Sequence, residues 1–365
     1  MKKSHEKILR EMLSIPTASF REQELIEYVK VWAEKTGIKF SLDKASNVHL
    51  ELKIGKPDKK RPLYVFHAHL DHPGFVAVSQ RGKTVTAQFR GSVRIPYFKG
   101  SRVRFFTEAG EVKGEVTSAK KSDTRNYLDC RIKLDEKAPV CEGDIGMWDF
   151  PGVAVRGSKL SARGCDDVAG CASLLCCMQD LAKSKKPIHL RAVLTRAEEV
   201  GFVSALAASI EKSIPKRALL VGVETSKNQP GARLGDGVVI RVGDSLRTFD
   251  PQLTMHLTHL ANALTKSDKK FQFCRQLMPG GSTETTGFMM YGYTAAALCL
   301  PLGNYHNMHP KGHIAAEQID IADFENLVKL LTEVASNPQT PADTDQKLVE
   351  MYDKRYEELG CYLYE

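Results

Sequence analysis

Four short apolar runs occur along the chain, each bounded by polar residues, glycine or proline. They are residues 63–66, 190–194, 218–223 and 295–300. Continuous apolar runs of this length are typical of parallel strands whose two faces are both covered by helices. The pattern therefore predicts an α/β fold with a doubly wound, mostly parallel sheet.

Helical spacing is found between and around these runs. Near the beginning, Ile8, Met12 and Leu13 share one helical face. Further helices are predicted over residues 22–36, 168–181, 324–331 and 343–359. The alternation of helices with apolar strands supports the α/β assignment.

The pattern changes to short β-type runs between Val76 and Val155, where glycines and charged residues separate the runs. Such spacing predicts a compact β barrel or sandwich. We therefore predict a discontinuous catalytic domain, residues 1–75 and 156–365, and an inserted β domain, residues 76–155. Because the insertion contains no histidine, we expect it to serve assembly and access and to carry no catalytic ligand.

Acidic residues and histidines follow or end the apolar runs. They are His69 and Asp71, Glu198 and Glu199, Glu224, and His306. Asp166 and Asp167 precede the predicted helix 168–181, where carboxylates suit a helix N-terminus. One acidic pair alone is more often a cap or a solvated face. Their shared position at strand ends instead favours a two-metal hydrolase, which needs oxygen and imidazole ligands from several directions.

These stretches resemble those of the glutamyl and tetrahedral aminopeptidases, a family of dinuclear zinc exopeptidases within a clan that includes carboxypeptidases and aminoacylases. Six collinear segments carry the resemblance: His69–Phe75, Gly164–Cys171, Ala197–Phe202, Val223–Thr225, Gly235–Asp244 and Pro301–His306. The resemblance implies that His69 and Glu224 bind one metal, that Glu199 and His306 bind the other, and that Asp166 bridges both. It also implies that Asp71 orients His69 and that Glu198 is the general base.

Some positions depart from the family pattern or leave alternatives open. Glu224 stands where this family usually has Asp, and a glutamate there resembles the carboxypeptidase and aminoacylase branch instead. His72 and Val168 replace a common acid and arginine. Counting from Pro301 favours His306 as the last ligand, whereas the spacing from His313 to Glu317 imitates a family interval.

Glu284 follows a Gly-Gly loop, residues 279–283, that could approach substrate. Its carboxylate could hold a substrate amine, or it could bond to nearby backbone in a turn. His67 lies one strand repeat before His69, and we expect it to be a packed core histidine.

Composition agrees with an intracellular enzyme. The chain has 365 residues, 42% hydrophobic and 26% charged, which is enough for two domains. Its nine cysteines lack zinc-ribbon or disulfide-framework spacing. No signal peptide or membrane span is evident, so we expect a cytoplasmic location and no membrane partner. The basic residues behind the net charge of +8 are dispersed, so no nucleic-acid partner is expected.

The sequence therefore predicts a metal-dependent aminopeptidase that removes N-terminal residues from short peptides and forms a homo-oligomer. The expected cofactors are two divalent metal ions per chain, zinc first, with cobalt or manganese as alternatives. The alternative function is an amidohydrolase or carboxypeptidase-like enzyme acting on N-acyl amino acids, which Glu224 motivates. An inactive binding scaffold is disfavoured because the ligand set and Glu198 are complete.

Overall fold

The computed structural model describes residues 1–56, 61–123 and 127–365, and its strands and helices are numbered in chain order. An eight-stranded sheet lies at the centre of this described part. Its strands are β1 (Lys39–Leu42), β2 (Val48–Ile54), β3 (Tyr64–His69), β12 (Ile188–Thr195), β13 (Leu219–Lys227), β14 (Val238–Gly243), β15 (Phe273–Leu277) and β16 (Thr294–Leu302). Their order across the sheet is β1-β2-β12-β3-β13-β16-β14-β15.

The four middle strands of this sheet contain the four apolar runs. β12, β3, β13 and β16 run parallel to one another. β2 and β14 join them antiparallel, one on each side. The predicted α/β fold is confirmed, and its mostly parallel centre is flanked by antiparallel strands.

Helices cover both faces of the sheet. They are α1 (Lys3–Ser14), α2 (Gln23–Thr36), α3 (Val168–Leu181), α4 (Val203–Ile210), α5 (Pro251–Ser267), α6 (Glu284–Met290), α7 (Ile321–Ser336) and α8 (Pro341–Leu359). Because strand side chains alternate between faces, Tyr64 and Phe66 pack in the core that includes α3 and α7, whereas Val65 packs with α4 and α6. The doubly covered sheet explains why its central strands are continuously apolar.

The inserted segment forms a closed six-stranded barrel. Its strands are β4 (Gly74–Arg81), β5 (Thr84–Arg90), β6 (Arg102–Thr107), β7 (Gly110–Lys121), β8 (Leu128–Leu134) and β9 (Ile145–Trp148), paired in the order β4-β5-β8-β7-β6-β9. Phe75, Phe89, Phe98 and Trp148 pack together inside it, with ring centroids 4.9–6.1 Å apart. This antiparallel barrel confirms the inserted β unit of the predicted fold.

The barrel interrupts the chain directly after β3, so both of its ends emerge beside the carboxyl end of the central sheet. A small antiparallel sheet follows it, formed by β10 (Ala154–Arg156), β11 (Lys159–Ala162) and β17 (Glu317–Asp320). In the described part of the chain, no helix is both long and apolar enough to cross a membrane.

Candidate metal site

The acidic residues and histidines singled out above converge at one edge of the central sheet. His69 ends β3, Glu224 lies near the end of β13, and Glu198 and Glu199 follow β12. His306 lies in a single 3-10 turn after β16. Since β12, β3, β13 and β16 are parallel, their carboxyl ends meet at the same edge, where an open α/β sheet forms its ligand crevice.

Asp166 enters this cluster from the loop before α3 and lies between the two histidines. Its Oδ1 atom is 3.4 Å from Nε2 of His69, and its Oδ2 atom is 3.6 Å from Nε2 of His306. Glu224 Oε1 is 3.4 Å from His69 Nε2, and Glu199 Oε2 is 3.2 Å from His306 Nε2. Two groups with metal-binding geometry therefore share Asp166, namely His69, Asp166 and Glu224, and Asp166, Glu199 and His306.

The donor set fits divalent metal ions. Within each group the potential ligand atoms lie within 4.8 Å of one another. Oδ1 of Asp166 and Oε1 of Glu199 are buried and accept no hydrogen bond, an expensive situation for carboxylate oxygens unless a cation is bound. Imidazole together with carboxylate suits zinc, cobalt and manganese.

Burial and neighbouring charges shift the pKa values of the carboxylates in the cluster. Burial and the neighbouring charge of Asp166 raise the pKa of Glu224 to about 7. Burial also raises the pKa of Glu198 well above its ordinary value. For Asp166, burial acts in the same direction, but the favourable interactions with the neighbouring imidazoles of His306 and His69 outweigh it and lower its pKa. The carboxylates are therefore crowded, and positive charge is needed for all of them to be ionised together.

Asp71 supports both His69 and the glutamate pair. Its Oδ1 atom is 3.5 Å from Nδ1 of His69, and that nitrogen is 3.0 Å from the Asp71 carbonyl oxygen. The backbone N–H groups of Glu198 and Glu199 donate to the same carboxylate at 2.9 and 3.2 Å, and Ser19 Oγ donates at 2.7 Å. Asp71 thus fixes the main chain of the glutamates in addition to contacting His69, which sequence reasoning had not foreseen.

His306, rather than His313, lies in the cluster. His309 and His313 stack on each other at a centroid distance of 4.3 Å, and His313 is exposed. Nδ1 of His306 donates to the backbone oxygen of Ser92 at 2.8 Å. Ser92 lies between β5 and β6 of the barrel, so the insertion makes a main-chain contact with the site, and none of its described side chains belongs to the candidate ligand groups.

Glu284 does not reach the cluster. It begins α6 and is buried, with its Oε1 atom 2.6 Å from Nδ1 of His67 and its Oε2 atom accepting from Thr195 Oγ1. His67 is fully buried and packs edge-on against Phe288, as a core histidine. The role of substrate-amine ligand therefore does not fit Glu284, because its carboxylate is already engaged beneath the sheet edge.

The cluster opens into a cavity of about 420 Å³. Asp166, Glu198, Glu199, Glu224 and His306 line one part of its wall. The loop of residues 278–283 lines another part, as expected for a loop approaching substrate, and Lys227, Arg241 and Tyr305 complete much of the remainder. The cavity thus places carboxylates beside two cationic side chains.

The chain matches a known protein family. A model of the M42 glutamyl aminopeptidase family matches residues 52–330. The chain belongs to this family. M42 membership makes the chain a metal-dependent aminopeptidase, which hydrolyses peptide bonds, and confirms the resemblance seen in the sequence.

Solved structures share the fold. The TET1 peptidase of Pyrococcus horikoshii, described as assembling into a tetrahedron or a large octahedral shell, has a TM-score of 0.75 at 20% identity, covering 91% of this chain and 99% of its own. An aminopeptidase of the archaeon Desulfurococcus kamchatkensis has a TM-score of 0.75 at 19% identity, covering 94% and 97%. A TET aminopeptidase of a marine-sediment Thaumarchaeota archaeon has a TM-score of 0.77 at 17% identity, covering 94% and 99%.

Proposed function

We propose that this M42 protein is a two-metal aminopeptidase whose ions are bound by the two residue groups that share Asp166. His69 and Glu224 would hold one divalent ion, Glu199 and His306 would hold the other, and Asp166 would bridge them. Zinc is the expected metal, with cobalt or manganese as substitutes. The observation that carries this proposal is the position of the two Asp166 oxygens, each facing a different imidazole.

Bound ions at this position would supply polarisation of the scissile carbonyl and acidification of the attacking water. Glu198 lines the cavity and is a member of a potential metal-binding group, yet the two groups centred on Asp166 are complete without it. Its carboxylate would accept the proton of the water and return it to the leaving amine as general base and then general acid. Asp71 would hold Glu198 in place through its backbone N–H.

We further propose that the cavity selects an acidic N-terminal residue. Arg241 is buried, and its hydrogen bonds go to uncharged oxygens of Ser226, Gly243, Met278 and Gly281. Within the described residues it forms no ion pair, so its charge is available to a substrate carboxylate. Lys227 lies in the same lining, and the family description names glutamyl aminopeptidases.

Metal analysis tests the two-metal proposal directly. Purified protein at saturating zinc should contain two ions per chain, and Asp166→Ala should remove more metal than any other single substitution because its oxygens serve both groups. Elemental analysis of both proteins measures this. One ion per chain, with Asp166→Ala unchanged, would contradict the proposal.

The direction of cleavage is tested with one peptide in two forms. The free form should lose its N-terminal residue, whereas the N-acetylated form should remain intact, and mass spectrometry distinguishes the products. Preferential hydrolysis of N-acyl amino acids would instead support the amidohydrolase alternative suggested by Glu224.

We also propose a homo-oligomer in which the inserted barrel takes part in assembly and access. The barrel exposes apolar side chains, including Val78 and Ile95, and one of the related structures is described as a dodecamer. Val78→Glu and Ile95→Glu, made separately, should lower the assembly mass measured by light scattering while leaving metal content unchanged. An unchanged mass in both variants would argue against the barrel as an interface.

We propose a cytoplasmic location as well. All nine cysteines are free thiols, which supports this location.

A further inference from the structure

Glu317 lies beneath the candidate metal cluster without belonging to either ligand group. It is the first residue of β17 and is completely buried. Its Oε2 atom accepts from the backbone N–H of Cys165 at 2.6 Å and of Asp166 at 3.1 Å. Its Oε1 atom accepts from the backbone N–H of His306 at 2.7 Å. One carboxylate therefore joins the main chains of two predicted ligands.

The turn that carries His306 needs such support. His306 has a φ of 54°, and Asn304 and Asn307 have φ values of 57° and 62°. Left-handed conformations at three non-glycine residues are unfavourable in isolation and persist where surrounding contacts hold them. The Glu317 carboxylate provides one contact on the central residue of this turn, and the Ser92 carbonyl provides another on its side chain.

A second connection joins the same two segments. His72 Nδ1 donates to the backbone oxygen of Asp166 at 2.7 Å, and its Nε2 atom lies 3.1 Å from Asn307 Oδ1. The Asn307 amide donates in turn to the Arg163 backbone oxygen at 2.7 Å. The contact with Asp166 requires a donor at position 72, which explains why histidine is suitable there and a carboxylate, which would face a carbonyl oxygen, is not.

We infer that Glu317 is a positioning residue that sets the separation of Asp166 and His306, and thereby preorganises the half of the site formed by Asp166, Glu199 and His306. The opposite half depends on it less, because His69 is held through Asp71 and Glu224 lies within β13. This inference rests on the proposed two-metal function and adds an asymmetry between the two metal positions. Outer residues that orient metal ligands commonly change metal affinity by about 10- to 100-fold when substituted.

The test is Glu317→Gln, which preserves shape but places an amide donor against a backbone N–H. Metal-free protein titrated with zinc should show two binding events in the wild type. In Glu317→Gln one event should weaken by about 10- to 100-fold, so that elemental analysis after dialysis against limiting zinc finds about one ion per chain. If the Gln variant does not fold, Glu317→Asp replaces it in the experiment. Its carboxylate is one methylene shorter and cannot reach both segments, so the same zinc-binding event should weaken.

Asp323→Asn is the matched control. Asp323 is also buried and accepts two backbone N–H groups, those of Gly235 and Gly237, each at 2.8 Å. Its substitution should lower stability while leaving both zinc events intact. If it weakens zinc binding as much as Glu317→Gln does, the Glu317 effect is general destabilisation and the inference is wrong.

The outcomes separate this inference from the function on which it rests. A wild type with two zinc events and a Glu317→Gln variant with the same two affinities would overturn the positioning role alone. A wild type with fewer than two events would overturn the two-metal proposal itself. Selective loss of one event, with turnover recovering as zinc is raised, would support both.

Discussion

The α/β unit and the inserted barrel differ in the kind of side chain that they bury. The barrel interior is apolar and aromatic, and no charged side chain of its described residues 74–123 and 127–148 is buried. Its arginines pair with carboxylates near the surface, as Arg104 does with Asp149 and Glu111. The α/β unit instead buries a dense set of carboxylates and histidines, among them Asp71, Asp166 and Glu317.

This difference indicates a division of labour. Burial of a carboxylate costs free energy because the charged group loses its hydration. The polar cluster at the edge of the sheet therefore destabilises the folded α/β unit. The barrel has no such penalty within it. Its described contact with the candidate ligands is made by a backbone oxygen, that of Ser92. Substitutions in the cluster should therefore change turnover or metal binding more than stability, whereas substitutions in the barrel core should change stability more than turnover.

The largest expected effect is on turnover and comes from Glu198→Gln. The variant should retain its metal but lose about two to four orders of magnitude in kcat, because a positioned proton acceptor contributes that much. Its thermal stability should not fall, since the change removes a buried like charge from the cluster. Steady-state kinetics and elemental analysis measure the two quantities.

The neighbouring residue provides the control for this assignment. Glu199→Gln should lose metal, because Glu199 Oε2 lies 3.2 Å from His306 Nε2 in one of the two ligand groups. If Glu198→Gln loses metal while Glu199→Gln keeps it, the roles of the two residues are reversed.

Phe98→Ala in the barrel should lower stability and leave turnover unchanged, the reverse of the effect expected for Glu198→Gln. Phe98 is buried and its ring centroid lies 4.9 Å from that of Phe89 and 5.3 Å from that of Trp148. Truncation should lower the free energy of unfolding by about 3–5 kcal/mol, measured by urea denaturation, with kcat of the folded enzyme unchanged. Lys99→Ala, at the exposed neighbouring position, should change stability by less than about 0.5 kcal/mol. A loss of metal in Phe98→Ala would show that the barrel is not energetically separate from the site.

Sequence patterns predicted the parts of this molecule that depend on local chemistry. The four parallel strands and α3 follow from continuous apolar runs of different length, and the cluster follows from acids and histidines placed at strand ends. Asp166 and His306 could be found because the motif residues occur in a fixed order along the chain. These signals are carried by side-chain type and spacing, which a single sequence displays.

Other features depend on contacts between distant segments and could not be predicted in this way. The Ser92 carbonyl is a backbone group, so its residue type gives no indication of the contact with His306. Glu317 resembles any surface glutamate until β17 places it beneath the cluster. The Gly-Gly loop before Glu284 leaves a substrate contact and a structural hydrogen bond both open, and the choice depends on the distant His67, whose Nδ1 atom lies 2.6 Å from the Glu284 carboxylate.

A smaller effect, on selectivity, is expected for Arg241→Met. The barrel arginine Arg102 pairs with Asp135, whereas the described contacts of Arg241 are with uncharged oxygens. Loss of the Arg241 charge should reduce kcat/KM for a glutamyl anilide by about 10- to 100-fold relative to a leucyl anilide, the range of a charge-assisted hydrogen bond. Arg102→Met should leave the ratio unchanged. Equal losses on both substrates would exclude Arg241 as the selective group.

The smallest predicted effect concerns a polar group of the α/β unit that lies outside the cluster. Asp43 accepts hydrogen bonds from the backbone N–H groups of Ala45 and Asn47, and His49 Nε2 lies 3.2 Å from its carboxylate. Burial alone would raise the pKa of Asp43, but the hydrogen bonds from His49 and Asn47 outweigh it and hold that pKa at about 2, below the usual 3.8. Unlike Glu198 and Glu224, whose pKa values are raised by burial, this carboxylate should stabilise the fold.

Because the pKa of Asp43 is lower in the folded than in the unfolded protein, the unfolded chain binds more protons as the pH falls below about 4. The stabilising contribution is therefore complete at neutral pH and decreases between pH 4 and pH 2. Asp43→Asn should lower the free energy of unfolding by about 1–2 kcal/mol at pH 7, since the carboxylate is only partly buried and solvent screens part of its interaction. Urea denaturation of both proteins at pH 7, 4 and 3 should show this difference narrowing with acidification. If the difference in free energy of unfolding between the two proteins is the same at every pH, the charge of Asp43 does not stabilise the fold. The proposed contrast between Asp43, which is fully hydrogen-bonded, and the crowded carboxylates Glu198 and Glu224 would then be wrong.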